Sequence, residues 1–190
     1  LLDLKSIISG IEADLEQYTK AIDLFGKTPS ANGKVRVLMT GVPTVHGAER
    51  VLDIVETSGG LVVCMDNCTG LKPIWDDVDE SSEDPILALA EKYFRIPCSV
   101  MTPNDRRLDL IREMIKTYRP QCIIDLIWQA CLTYDVESHR VKALAKELGL
   151  PFLRIETDYS PSDSARIALR VEALFETVRQ RDGGGRCTKG

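Results

Sequence analysis

Residues 122–128 read Cys122-Ile123-Ile124-Asp125-Leu126-Ile127-Trp128. So continuous an apolar run is expected of a strand covered on both faces, as in a parallel sheet with helices above and below. Outward from it the pattern alternates. Toward the carboxyl end, residues 136–148 read as a helix ended by Gly149, residues 152–156 as a strand, and residues 162–181 as a helix with Ile167, Val171, Leu174, Phe175 and Val178 on one side. Toward the amino end, residues 103–118 keep the helical period through Leu108, Ile111, Met114, Ile115 and Tyr118, with Thr102 placed to cap them. Pro85 after Asp84 opens a helix over residues 85–94. The stretch 76–84 carries six acids and no base, hence a solvated loop. Residues 61–65 form a strand, Gly59-Gly60 closes a helix over 45–58, and 35–40 is a β-branched strand ending at Gly41.

Four strands alternating with helices predict an α/β fold. The sheet is doubly wound, mainly parallel and four-stranded or slightly larger, Rossmann- or flavodoxin-like, with helices on both faces. No internal repeat is visible. Residues 1–25 add an amino-terminal helix in which Leu4, Ile8, Ile11, Leu15, Tyr18, Ile22 and Phe25 are spaced 4, 3, 4, 3, 4, 3. That heptad-like seam packs either on its own domain or on a surface outside this chain, another subunit or a preceding domain. Gly10 weakens it by roughly 1 kcal/mol against Ala. Residues 26–34 read as a linker, 35–181 as the α/β domain, and 182–190, with three consecutive glycines, as a flexible tail.

The chain has 190 residues with 24 Lys plus Arg against 29 Asp plus Glu, a net charge of −5. A duplex nucleic-acid binder would carry a basic surplus, so nucleic acid is not an expected partner. No apolar run approaches the ~18 residues of a helical membrane span. Residues 1–5 do not read as a secretion signal, so a cytoplasmic location with reduced thiols is expected.

Six cysteines are too sparse for a disulfide scaffold and raise the question of a site. Ligands of a doubly wound sheet sit beyond the carboxyl ends of its strands. Cys68 follows the strand 61–65, Cys131 follows the strand 122–128, and Cys98 lies in the loop before the helix 103–118. Three thiols separated by 30 and 33 residues are thus expected at one rim, on three loops. Structural zinc usually takes four ligands, two of them closely spaced, whereas a cubane iron–sulfur cluster can be held by three cysteines with one iron open. Helix starts near Thr44, Thr102 and Ser160 would turn their positive ends to the same rim, favouring an anionic cluster or an anionic substrate group equally. The bland alternative is that each cysteine is a small buried hydrophobe. Cys122 is expected in the core, Cys64 in the core or beside the site, and Cys187 in the tail.

The segments Val63-Cys64-Met65-Asp66-Asn67-Cys68-Thr69-Gly70-Leu71-Lys72, Arg95-Ile96-Pro97-Cys98-Ser99-Val100-Met101-Thr102-Pro103-Asn104, Trp128-Gln129-Ala130-Cys131 and Ile155-Glu156-Thr157-Asp158-Tyr159-Ser160-Pro161-Ser162-Asp163 carry a family resemblance. In this order they resemble the carboxy-terminal domain of the 2-hydroxyacyl-CoA dehydratase and benzoyl-CoA reductase superfamily, and most of all its double-cubane-cluster proteins. The resemblance covers roughly residues 35–180 and implies an oxygen-sensitive iron–sulfur component. It implies an ATP-hydrolysing iron–sulfur activator protein as partner, delivering low-potential electrons one at a time. In the double-cubane relatives two bridged cubanes reduce small molecules; in the dehydratases, which are lyases, a [4Fe-4S] cluster passes the electron to a 2-hydroxyacyl-CoA thioester and water leaves a ketyl radical. Cys68, Cys98 and Cys131 are the matching metal ligands. The family polypeptide also carries an amino-terminal α/β domain with further cysteine ligands, which nothing here resembles. The chain is therefore expected to be a carboxy-terminal fragment. Its seam over 1–25 would meet the missing amino-terminal domain or a second subunit of a homodimer or heterodimer. Alone, it is expected to bind the cluster poorly or not at all and to be inactive. A non-catalytic α/β interaction domain is the competing class.

The family pattern assigns no catalytic side chain. Cys64, Asp66, Asn67 and Gln129 are candidates to surround the cluster or contact a substrate, against self-satisfying turn roles for the polar ones. Glu156, Asp158 and Tyr159 follow the last strand and reach the same rim, with capping by Asp158 or Ser160 as the alternative. His46 lies in the loop after the first strand, and His139 at a helix start. Asp125 interrupts the apolar strand and either faces a helix dipole or pairs with a base.

Overall fold

The computed structural model describes residues 33–184, with side chains through Arg181. The expected helix over 1–25, nearly all of the linker, and Cys187 lie outside the described residues. Four strands form one sheet: β1 (Val35–Gly41), β2 (Gly60–Asp66), β3 (Cys122–Trp128) and β4 (Phe152–Thr157). Their order is β2-β1-β3-β4 and every pairing is parallel. Among the described residues five α-helices accompany the sheet: α1 (Arg50–Thr57), α2 (Pro85–Phe94), α3 (Asp105–Tyr118), α4 (Leu132–Glu147) and α5 (Ser164–Gly184). The doubly wound reading of the sequence therefore holds.

Central β1 is buried along its whole length and β3 through Ile127. Alternate strand residues feed two cores. On one face Val35, Val37, Met39, Ile124 and Leu126 meet Val51 and Val55 of α1 and Val171 and Phe175 of α5. On the other, Leu38, Cys64 and Ile123 meet Ile111 and Met114 of α3 and Val141 and Leu144 of α4. Each fully buried side chain of this size contributes about 1.5–3 kcal/mol, which offsets the ordering of the backbone.

From β1 the chain moves outward to β2, then crosses back over β1 to β3. The β1/β3 boundary is thus the switch point, and the crevice beyond their carboxyl ends is where the loops diverge. Gly41 closes β1 with φ +107, and a Cβ there would lie 2.0 Å from the Leu126 carbonyl oxygen. Only glycine lets β1 and β3 approach this closely at the crevice floor.

Several boundaries differ from the sequence reading. The first helix starts at Arg50 rather than residue 45, because residues 45–48 form a turn (Ala48 N–H to Val45 O, 2.9 Å) and Gly47 takes φ +85. The fourth starts at Leu132 rather than 136, immediately after Cys131, whose carbonyl accepts from Asp135 N–H. Outward-facing Leu132 and Val136 blur the apolar period there. Thr102 does not cap α3: Asn104 holds that position without a side-chain cap, and its amide is spent elsewhere. Asp84 caps α2 as its position before Pro85 implies, accepting from Ile86 and Leu87 N–H. The last helix reaches Gly184, three residues past 181. Among the described residues no helix is long and apolar enough to cross a membrane.

Candidate functional site

Cys68 sits on a tight turn that leaves β2. Asn67 organises it: its Oδ1 accepts from the Thr69 N–H and hydroxyl, both at 3.1 Å, while its Nδ2 donates to the Val42 carbonyl at 3.2 Å. Leu71 N–H returns to Met65 O, and Gly70 fits because a Cβ there would lie 2.4 Å from that same oxygen. Thr69 Oγ also accepts from Thr44 N–H, tying in the β1 loop. The Asn67 side chain is thus committed to its own turn.

Cys98 lies between α2 and α3. Its N–H donates to Ile96 O, and its carbonyl accepts from Met101 N–H and from the buried Asn104 amide at 2.9 Å. The same amide donates to Glu137 of α4 at 3.2 Å. Ser99 meets Thr133 of α4, hydroxyl to hydroxyl, at 3.3 Å. Cys131 occupies the residue before α4, with its N–H on Trp128 O and its sulfur 3.8 Å from Thr133 Oγ. The turn that carries Cys68 runs on to Lys72, whose Nζ lies 3.4 Å from the Tyr134 hydroxyl of α4. All three cysteine loops therefore fasten to the first two turns of one helix, through Cys131 itself, Thr133, Tyr134 and Glu137.

These thiols differ from the other two described cysteines. Cys64 and Cys122 are buried in the two cores, where burial pushes the Cys64 thiol well up and the Cys122 thiol up to about 12, so both stay protonated. Cys68 is exposed, Cys98 and Cys131 are half-buried, and none is in a disulfide. Among the described residues no group of three or more His, Cys, Asp or Glu side chains forms a ready-made site for a single metal ion. A cubane differs from one ion, since each of its thiolates meets a separate iron. Accessible, unbridged soft donors on three separate loops have the donor chemistry that a cluster would take.

Beneath the rim lies a polar floor that the sequence reading missed. In register across the sheet stand Asp66 of β2, Thr40 of β1, Asp125 of β3 and Arg154 of β4. Fully buried Arg107 of α3 lies over this row: Nε donates to Asp66 at 3.0 Å, Nη2 to Thr40 Oγ at 3.0 Å, and Nη1 reaches Glu137 at 3.4 Å. Thr40 Oγ donates to Asp66 at 2.8 Å, and Lys72 Nζ lies 3.4 Å from the other Asp66 oxygen. Burial works against the Arg107 charge, but the Asp66 and Asp125 carboxylates outweigh it and hold its pKa above the ordinary value. Asp125 is also buried, neither of its oxygens meets a donor at hydrogen-bonding geometry, and burial holds its carboxyl above the usual range. The sequence alternative that Asp125 pairs with a base is not met: Arg107 acts on it only as a nearby charge and makes no ion pair with it. Tyr134 is likewise raised, first by burial and then by Cys68.

A signal for Arg107 existed. It falls on the buried stripe 107, 110, 111, 114, 118 of α3, where a charge demands a partner. Nothing periodic marked Lys72.

The remaining candidates are engaged elsewhere or exposed. Gln129 is exposed, with only its backbone N–H engaged, on Thr157 O. Glu156 pairs with Arg154. Asp158 accepts from Ser160 N–H, and Ser160 caps the short turn Pro161–Asp163. Tyr159 stacks on Trp128 with ring centroids 4.7 Å apart. His46 is fully exposed beside Glu49, and His139 is exposed.

With this geometry in place, comparison with known proteins is specific. Residues 4–178 match the family model described as 2-hydroxyglutaryl-CoA dehydratase, D-component. The chain is 42% identical over 144 residues to the putative dehydratase subunit YjiM of Escherichia coli, covering 75% of this chain and 37% of that protein. It is 24% identical over 144 residues to the (R)-phenyllactyl-CoA dehydratase beta subunit of Clostridium sporogenes, covering 75% of this chain and 38% of that protein. The chain thus spans well under half the length of these curated relatives.

Proposed function

Because the chain belongs to the 2-hydroxyglutaryl-CoA dehydratase D-component family, we propose that it is the part of an iron–sulfur redox component that holds one side of a cluster through Cys68, Cys98 and Cys131. The observation that carries this reading is the fastening of three cysteine loops to the start of α4, the Cys68 loop through Lys72 and Tyr134. Such a cluster, when bound, would store low-potential electrons received from an ATP-dependent activator. The chain's own residues then do three things. The Asn67 turn, the Asn104 amide and the α4 cap aim the three sulfurs. The positive end of the α4 dipole lies beside Cys131, where it favours the negative charge of a thiolate. The buried Arg107–Asp66–Lys72 floor keeps water out from below.

The remaining ligands and any substrate pocket are assigned to the larger part of the polypeptide or to a second subunit, and the chain alone is inactive. The substrate reading that follows from the sequence resemblance is reduction of a small molecule at a double cubane. Both relatives are named as dehydratase subunits, one of them for a CoA thioester, which favours a second reading, dehydration of a 2-hydroxyacyl-CoA. Anaerobic iron and sulfide analysis of the full-length protein, with Cys68, Cys98 and Cys131 changed singly to Ala, tests the site: each variant is expected to lose cluster, and unchanged content in all three refutes it. Adding activator, ATP and a panel of 2-hydroxyacyl-CoA thioesters separates the readings, since only a dehydratase releases the enoyl product.

A further inference from the structure

Along the outer side of α4, where the edge strand β4 begins, lies an open groove of about 570 Å³. Half-buried Leu150, Pro151 and Phe152 form its floor, and Lys142, Lys146 and Arg181 form its rim. No Asp or Glu among the described residues lines it. Arg181 Nη1 donates to the Gly149 carbonyl at 2.8 Å, which holds that guanidinium at the rim. Other charges of α4 are spent within the domain: Asp135 on Arg154, Glu137 on Arg107, Arg140 on Asp105 and Glu147 on Arg112. Lys142 and Lys146, one helical turn apart and exposed, enter no ion pair among the described residues. An apolar floor under a basic rim suits an amphipathic segment with acids beside its apolar stripe.

Residues 1–25 lie outside the described residues, and their sequence has that pattern. At helical spacing the stripe from Leu4 to Phe25 is flanked at Ile11 and Leu15 by Glu12 on one side and Asp14 on the other. The segment carries five carboxylates against two lysines. It is also within reach. Phe152 pairs with Ile123, and Cys122 with Val37, so the groove and the start of β1 share one end of the sheet, two strands or about 10 Å apart. The nine residues 26–34 can span up to about 30 Å. A second open apolar surface, the outer arc of α2, exposes Ile86 by 73%, Tyr93 by 61% and Phe94 by 81%. It follows the acidic stretch 76–84, whose charge repels an acidic segment.

We propose that residues 1–25 dock in this groove of their own domain, laying the apolar stripe on Leu150, Pro151 and Phe152 and turning Glu12 and Asp14 to Lys142, Lys146 and Arg181. The short linker gives the chain's own segment a high effective concentration at the groove, ahead of the same segment from a second copy. Once docked, it covers the open edge where β4 begins. The lysine stems extend the apolar wall while their ammonium groups meet the acids. No cysteine of the rim takes part, so the inference stands or falls apart from the function proposed above.

Amide hydrogen exchange on the 190-residue chain, read by mass spectrometry, tests this with a charge-swap cycle. One variant carries Lys142→Glu and Lys146→Glu, a second carries Glu12→Lys and Asp14→Lys, and a third carries all four. Lys142 and Lys146 are exposed, so reversing them leaves the two cores intact, which an unchanged urea midpoint for the domain verifies. Each paired variant should speed exchange over residues 4–25 by about threefold or more, and the fourfold variant should recover wild-type protection. Unchanged exchange in either paired variant, or no recovery in the fourfold one, overturns the proposal. So does protection over 85–94, rather than 142–152, that is lost with Glu12→Lys and Asp14→Lys, since the segment then lies on α2. Sedimentation at matched concentrations decides between one copy and two. A monomer that keeps its protection on dilution supports docking within the chain, whereas a dimer whose protection disappears with its dissociation overturns it.

Discussion

Replacing Arg107 with methionine tests the polar floor directly. The substitution preserves much of the side-chain volume and removes the charge. In the native protein the fully buried guanidinium answers Asp66 at 3.0 Å, Thr40 at 3.0 Å and Glu137 at 3.4 Å. Without it Asp66 keeps Thr40 at 2.8 Å and Lys72 at 3.4 Å, while Glu137 keeps only the Asn104 amide at 3.2 Å. Removing one member of a buried ion pair costs about 3–5 kcal/mol, because the partner charge is left in a medium that solvates it poorly. At this domain size each kcal/mol moves the midpoint by ~3 °C, so R107M should melt about 9–15 °C lower. Urea unfolding at pH 7 followed by circular dichroism measures the free energy. The double variant R107M/D66N provides the internal check: neutralising Asp66 removes one stranded charge and should recover part of the loss. A loss below about 1 kcal/mol, or a double variant no more stable than R107M, would refute the view that these charges depend on one another.

Three further outcomes follow from the same geometry. Asp125 has a raised native pKa, so the folded state binds more protons than the unfolded one between the ordinary carboxylate value of 3.8 and the native value. Its contribution is complete below that ordinary value and is lost as pH rises toward the native pKa; with Arg107, Asp66 and Arg154 as its charged neighbours, D125N should match wild type near pH 3.5 and gain on it as pH rises, in urea midpoints taken across pH. A D125N-to-wild-type difference that does not change with pH would refute this assignment. Gly41→Ala places a methyl 2.0 Å from the Leu126 carbonyl at φ +107 and should cost at least about 2 kcal/mol by thermal unfolding. Asn104→Ala releases both the Cys98 carbonyl and Glu137 and should cost about 1–2 kcal/mol, with faster amide exchange confined to residues 96–104.

Much of the fold was legible because it is written in local patterns. The run at 122–128 announced a strand buried on both faces, and Pro85 after Asp84 announced a capped helix. Helix starts were harder. The first turn of α4 exposes Leu132 and Val136, so its apolar period begins only once Tyr134, Glu137 and Ser138 are known to face inward. Asn104 was hidden behind Thr102, another capping residue type two positions earlier, because what fixes the Asn104 side chain is a contact 33 residues away on Glu137. The placement of Cys68 and Cys131 just past strand ends, and of Cys98 just before α3, was readable, since parallel topology carries successive loops to one edge. Their common anchorage was not, because it depends on the register of α4 against the sheet.

That anchorage bears on why so much charge is buried under this rim. Three thiols on separate loops have no geometry of their own: each loop could shift without disturbing the two cores. Glu137 and Tyr134 lock the phase of α4, since rotating the helix would pull Glu137 from Arg107 and Asn104 and Tyr134 from Lys72. An apolar contact tolerates small rotations with little loss, whereas a buried charge leaving its partner costs several kcal/mol. Residues 131 and 133 belong to the same rigid turn, so locking the phase of α4 also fixes Cys131 and, through Thr133 and Asn104, the Cys98 loop. The polar floor thus supplies what an apolar core supplies poorly, a single register for the helix that gathers the cysteines. It also explains why the charges sit at this end of the sheet, while the opposite face, packed by α1 and α5, is held by aliphatic and aromatic side chains.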